Sequence, residues 1–179
     1  MPNYGKLMKE LSMKLVTPSL KYQRSYQQYI DELKDEERYP FPMDFDHHDF
    51  AAMLAKIADF TAGNNLPKHA VPSTTLWLVE EDELIGVTNL RHYLNDTIAH
   101  CGGHIGLGIR PSYRGQGLGN HLMHSSIAWL QAHGVNEVHI HCYQDNLASV
   151  NAIISNAGVL ESEIAIDNKI VQRYLVKPS

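Results

Sequence analysis

The chain has little cysteine, no surplus of positive charge and no long apolar run, and each shortage excludes something. Cys101 and Cys142 are the only cysteines in 179 residues, at a spacing that fits neither a zinc-ligand pair nor a redox Cys-x-x-Cys motif. A disulfide-stapled scaffold is therefore excluded, and a reducing cytoplasm is the expected compartment. No apolar run approaches the roughly 20 residues that cross a bilayer, so no membrane association is expected. The first ten residues are charged but lack the apolar segment of a secretory leader, and none is expected. Fifteen Lys and Arg against 20 Asp and Glu give a formal net charge of −5, which argues against an extended nucleic-acid surface. No internal repeat, low-complexity tract or linker divides the chain. One domain over residues 1–179 is expected, with 1–12 as an N-terminal extension of some helical character.

Histidine is plentiful at 11, but its close groups (His47 with His48, His121 with His124, His139 with His141) lack a convergent third ligand. No metal site is expected, since closed zinc sites use four ligands.

What the chain does have is clear periodicity. Met13–Thr17 reads as a short strand, and Thr17-Pro18 as the cap and first position of a helix. That helix carries Tyr22, Tyr26, Tyr29, Ile30 and Leu33 on one face. A second helix over about 46–61 turns Phe50, Met53, Leu54, Ile57 and Ala58 inward. Strands at Thr74–Glu80 and Leu84–His92, with the acidic turn Glu81-Asp82-Glu83 between them, make a hairpin. Further on come a strand (His104–Ile109), a helix (Gly117–His133), a strand (Val135–Cys142), a helix from Asn146 to about Asn156, and closing strands Val159–Ile166 and Ile170–Val176. The unit over 104–142 predicts a parallel, right-handed crossover. The fold class is thus α/β (α+β): one mixed, mostly antiparallel sheet with helices on both faces.

Within this order, Ile109-Arg-Pro-Ser-Tyr-Arg-Gly-Gln-Gly-Leu-Gly119 joins a strand to a helix through a glycine turn. Bare N–H groups at a helix N-terminus attract an anionic oxygen, and glycine lets a phosphate approach the backbone closely. A Rossmann dinucleotide site would show Gly-x-Gly-x-x-Gly after an early strand, and a nucleotide P-loop a following Gly-Lys-Ser/Thr. Neither pattern is present.

These residues resemble the pyrophosphate turn of the GNAT superfamily of acetyl-CoA-dependent N-acetyltransferases, and the element order is similar over about 13–177. Asn146-Leu-Ala-Ser149, with Ile153 and Gly158, resembles the family's second motif. Val71-Pro-Ser-Thr-Thr75, Asn89-Leu-Arg-His92 and Gly102-Gly-His-Ile-Gly106 are similar to a bacterial subgroup of predicted acetyltransferases. The resemblance implies a GNAT-like fold and acetyl-CoA as cosubstrate, with no metal. The backbones of Leu107 and Ile109 would then pair with the pantetheine arm. Arg114, Gly115, Gln116, Gly117, Leu118 and Gly119 would hold the pyrophosphate with Asn120 close by, and Asn146 and Ser149 would lie near the thiol end. It also makes a homodimer one expected assembly.

The chemistry so implied is acetyl transfer to a primary amine of a small molecule, a peptide N-terminus or a lysine. It needs a base for the amine and an acid for the leaving thiolate. His104 is the expected base, because histidine titrates near neutrality, with Glu80 and His92 in reserve. The position where many family members carry an acidic tyrosine holds Ile153, so Tyr143 is the expected acid and Ser149 its alternative. The missing tyrosine leaves a second reading open, a non-catalytic acyl-CoA-binding or regulatory module.

Overall fold

Two β-branched, apolar segments joined by a two-residue polar turn form the hairpin on which the rest is laid: β2 (Ser73–Glu80) and β3 (Glu83–Arg91). The computed structural model describes residues 3–179. β1 (Met13–Val16) adds to the free side of β2 and β4 (Ile105–Ile109) to that of β3, giving an antiparallel sheet ordered β1-β2-β3-β4. Successive side chains of β2 point to opposite faces, and both faces are covered. Trp77 and Val79 enter a cluster with Tyr22, Tyr26, Tyr29, Ile30, Phe50, Met53 and Ile57 from α2 (Gln23–Leu33), the turn before it and α3 (Phe50–Ala62). Leu76 and Leu78 face α5 (Leu118–Ala132), whose Leu118, Leu122, Ile127 and Leu130 are all buried. The tyrosine stripe is therefore core; the Tyr26 ring stacks on Trp77 with centroids 5.5 Å apart.

The second sheet is also antiparallel, ordered β5-β7-β6 from β5 (Val138–Tyr143), β6 (Val159–Ile166) and β7 (Lys169–Val176). α6 (Leu147–Ser155) connects β5 to β6, with Asn146 Oδ1 accepting the Ser149 N–H at 3.2 Å as a cap. Among the described residues two further α-helices are α1 (Tyr4–Ser12), with no buried residue, and the single turn α4 (Asp96–His100).

The expected antiparallel sheets and two-sided helices are present, but the parallel pairing of β4 with β5 is not. Among the described residues no ladder joins these strands, and a single bridge, Gly103 to Ile140, connects the sheets. The reason lies in the seam. A Cβ at Gly103, where φ is +67°, would stand 2.6 Å from the His139 carbonyl oxygen, so only glycine admits the approach. The His104 N–H donates to that carbonyl at 2.7 Å, while the His139 N–H donates to His104 Nδ1 at 2.9 Å. A side chain thus takes the donor that would have extended a ladder. Across the same seam the Gly102 N–H donates to His141 Nδ1 at 2.9 Å.

Smaller departures have local causes. The first helix begins at Leu20 as a 3-10 turn and not at Pro18. The second starts at Phe50, because the Asp49 carboxylate and not Asp46 caps it, and Phe60 is buried there while Ala58 is exposed.

Candidate active site

Backbone alternation in β4 decides what its outer edge offers. The Arg91 N–H donates to His104 O and the Arg110 N–H to Ile85 O, both at 2.8 Å. Even-numbered positions therefore aim their peptide groups at β3, and those of Leu107 and Ile109 face the opposite edge. Among the described residues no strand ladder forms there. The glycines alternating with them admit the segment after α2: a Cβ at Gly108 would lie 2.8 Å from the Tyr39 carbonyl oxygen, and one at Gly106 3.0 Å from the Tyr39 hydroxyl.

β4 ends in a clamp. The buried Arg110 guanidinium donates through Nε to Glu32 Oε1 at 2.7 Å and through a terminal nitrogen to Glu83 Oε2 at 2.9 Å and Ser25 Oγ at 3.2 Å. Glu32 in turn accepts the Ser112 N–H at 2.9 Å. Burial pushes the Glu32 carboxyl's pKa up, but the hydrogen bonds from Ser112 and Arg110 outweigh it and hold it below the ordinary value. A 3-10 turn, Pro111–Tyr113, then leads to Arg114. Its Nε donates to Ile109 O at 3.0 Å, and its two terminal nitrogens bind both Glu36 oxygens at 3.2 and 2.9 Å.

Beyond the clamp the chain opens. Gly115 has φ +75° and nothing within 4 Å of where a Cβ would stand. Gly117, at φ +76°, caps α5 in the left-handed region with no side chain bonded to the helix start. The first-turn N–H groups of Leu118, Gly119 and Asn120 therefore have no helical partner. This is a concave row of donors at the positive end of a 15-residue helix. Gln116 lies on the turn with its Oε1 accepting from Lys9 Nζ at 2.5 Å. The Leu118 side chain is buried, so only its backbone can serve the row. Asn120 Oδ1 accepts from Asn156 Nδ2 at 2.8 Å, tying α5 to α6.

The residues expected to act on protons fare differently. His104, the expected base, stands in the seam between the two sheets. Its Nδ1 already accepts a backbone N–H, which puts the ring's proton on Nε2 and makes that nitrogen a donor. Burial, with His139 and Arg91 nearby, lowers its pKa to about 4. Tyr143 stands exposed at the far end of β5, with Lys169 Nζ 4.6 Å from its ring centroid, and no hydrogen bond joins it to His104. Ser149 is half-buried in the first turn of α6. Of the reserves, His92 Nε2 bonds Thr74 Oγ1 at 2.8 Å and Glu80 accepts from Ser12 at 2.6 Å. Ile153 is wholly buried.

Sequence reading passed over Glu32, Glu36 and Arg110, which fix the turn in space, and Tyr39, which roofs β4. Two glutamates four apart at a helix end were a visible signal, but partners some 78 residues away leave no local trace.

Residues 26–153 match the sequence profile of the acetyltransferase (GNAT) family. No curated protein sequence matches the chain. Solved structures similar to it include the ribosomal L7/L12 alpha-N-protein acetyltransferase RimL in complex with coenzyme A, at 14% identity and TM-score 0.68, covering 92% of this chain and 93% of that one. The ribosomal-protein-S5-alanine acetyltransferase from Vibrio fischeri is 15% identical at TM-score 0.67, covering 92% and 91%. The microcin C7 self-immunity acetyltransferase MccE, with acetyl-CoA and AMP, is 18% identical at TM-score 0.64, covering 93% and 92%. At such identities the likeness speaks for the fold; together with the profile match over most of its length, the chain belongs to the GNAT family of acetyltransferases.

Proposed function

We propose that the chain moves acetyl from acetyl-CoA to a primary amine by direct attack in a ternary complex, as a single domain over residues 1–179 working in the cytoplasm. The observation that carries the reading is the glycine turn 114–119, with the free N–H groups at the start of α5, set against the outer edge of β4. The N–H groups of the turn bind pyrophosphate oxygens, and Leu107 and Ile109 give the pantetheine amides a strand edge to pair with. Asn120, Asn146 and Ser149 border the same cleft from α5 and α6. The amine attacks the thioester carbon, the C–S bond breaks, and the thiolate takes a proton. Tyr143 is assigned that proton donation. The amine's proton leaves through water, and most of the rate comes from holding the reactants together. Acceptors are a small molecule, a peptide N-terminus or a lysine; that RimL is by name an alpha-N-protein acetyltransferase supports the peptide among them.

Burial of Ile153 where a tyrosine acid would stand favours the second reading, a module that binds acyl-CoA without turnover. Saturating acetyl-CoA should raise the melting temperature, and an amine panel followed by free CoA thiol separates the two readings. Turnover that falls in Tyr143→Phe supports the acid role; an unchanged rate removes it. Gly117→Val must adopt a left-handed φ costly to a β-branched residue, so acetyl-CoA affinity should fall more than about tenfold, on the order of 1.4 kcal/mol or more. Unaltered affinity in that variant would refute the donor row.

A further inference from the structure

The turn that the reading above fills with pyrophosphate uses little positive charge of its own. Arg110 is held by Glu32 and Glu83, and Arg114 by Glu36 and the Ile109 carbonyl. The chain as a whole is acidic, at −5, so a polyanionic ligand approaches against the average field.

The charge arrives from elsewhere. α1 buries no residue, lies outside the stretch that matches the family, and is tied at its end to β2 by the Ser12–Glu80 bond. It nevertheless lies across the glycine turn. Lys9 Nζ rests on Gln116 Oε1 at 2.5 Å and stands 6.0 Å from the Tyr113 ring centroid. Lys6 Nζ is 3.2 Å from the point a Cβ on Gly117 would occupy. Three positions apart, the two lysines share a helix face. Lys6 has one loose partner, Glu10 at 3.9 Å. Lys9 is held by a neutral amide, which a phosphoryl oxygen displaces readily because a charged acceptor binds ammonium more strongly.

We infer that Lys6 and Lys9 are phosphate ligands of bound acyl-CoA: α1 lays them over the backbone donor row, and together they close on the pyrophosphate from the solvent side. The inference rests on the assignment of the turn as the pyrophosphate cradle. It gives the N-terminal extension a function and makes cofactor affinity depend on a segment beyond the family's shared stretch.

The test is titration calorimetry of acetyl-CoA and of dephospho-CoA on the full chain, its Lys6→Gln/Lys9→Gln variant and its Lys6→Arg/Lys9→Arg variant. The glutamine variant should bind acetyl-CoA roughly tenfold more weakly at low salt, in keeping with two partly exposed ion pairs to a phosphoryl group. The gap should narrow at high salt, arginine should restore most of the affinity, and dephospho-CoA should show the same loss. Equal affinity for the parent and the glutamine variant overturns the inference while leaving the cradle intact. So does a loss that arginine fails to restore, since that marks a structural role. A loss that vanishes with dephospho-CoA overturns the assignment to the pyrophosphate. If the parent chain binds neither ligand, the cradle itself is wrong.

Discussion

The two sheets are built to different standards of burial. In the first, β2 and β3 are buried along almost their whole length, between α2 and α3 on one side and α5 on the other. In the second, β5 and β7 bury one face against α5 and α6, while β6 leaves Val159 67% and Leu160 44% exposed. The glycine turn hangs from the first sheet. A row of backbone donors is useful only if its spacing is fixed, and fixed spacing comes from dense packing on both sides. The second sheet carries α6 between β5 and β6, and α6 is tied to α5 through Asn156 and Asn120 without setting the row.

That contrast can be broken most forcefully at Trp77. Trp77→Ala removes a wholly buried ring that stacks on Tyr26 and should cost about 3–5 kcal/mol in chemical denaturation. A loss below about 1 kcal/mol would mean that the first sheet is no stiffer than the second. Next comes the clamp. Glu32→Gln leaves the buried Arg110 with Glu83 as its one carboxylate partner and should cost about 1–2 kcal/mol, discounted because Glu32 is partly exposed. The folded-state pKa of Glu32 lies below its unfolded value. Its stabilisation is thus complete above the unfolded pKa of 4.5 and is lost as pH falls through the lower folded one. The glutamine variant should lack that part of the acid loss.

The seam between the sheets gives a third, milder test. His104 and His141 both accept backbone N–H groups, and burial lowers both to a pKa of about 4 against an ordinary 6.5. Between those values the unfolded chain binds protons that the folded one refuses. Stability is therefore full above about pH 6.5 and declines on acidification toward pH 4. His104→Asn, which keeps a short acceptor, should flatten part of that decline in melting temperature, and an unchanged slope would show the ring is not desolvated. The smallest effect belongs to Val159→Thr on β6, expected within about 0.5 kcal/mol of the parent. A larger loss would reveal that something covers this edge in solution.

Most of the architecture was legible because periodicity is local. The tyrosine stripe, the apolar face of α5 and the glycine turn each announce themselves within one or two helical turns of sequence. The seam was not legible, since nothing about His104 indicates that its ring will take the N–H of His139 and end a ladder. The same holds for the base assignment. Histidine's ordinary pKa suggested it, while the burial and the committed Nδ1 of His104 leave no trace in the local sequence. Lys6 and Lys9 carry no local signal of the turn they lie over, since Lys9 meets Gln116 across 107 residues of chain.

Glu32 in the last turn of α2 and Glu36 just beyond the helix between them grip Arg110 and Arg114 on either side of Pro111. Four side chains thus form one ruler, carried half by the end of α2 and half by the turn. Such a ruler is inherited as a unit. A lineage that reverses one of these charges must reverse its opposite number or lose the register of the turn, so positions 32 and 110, and 36 and 114, should change in pairs across descendants of this chain.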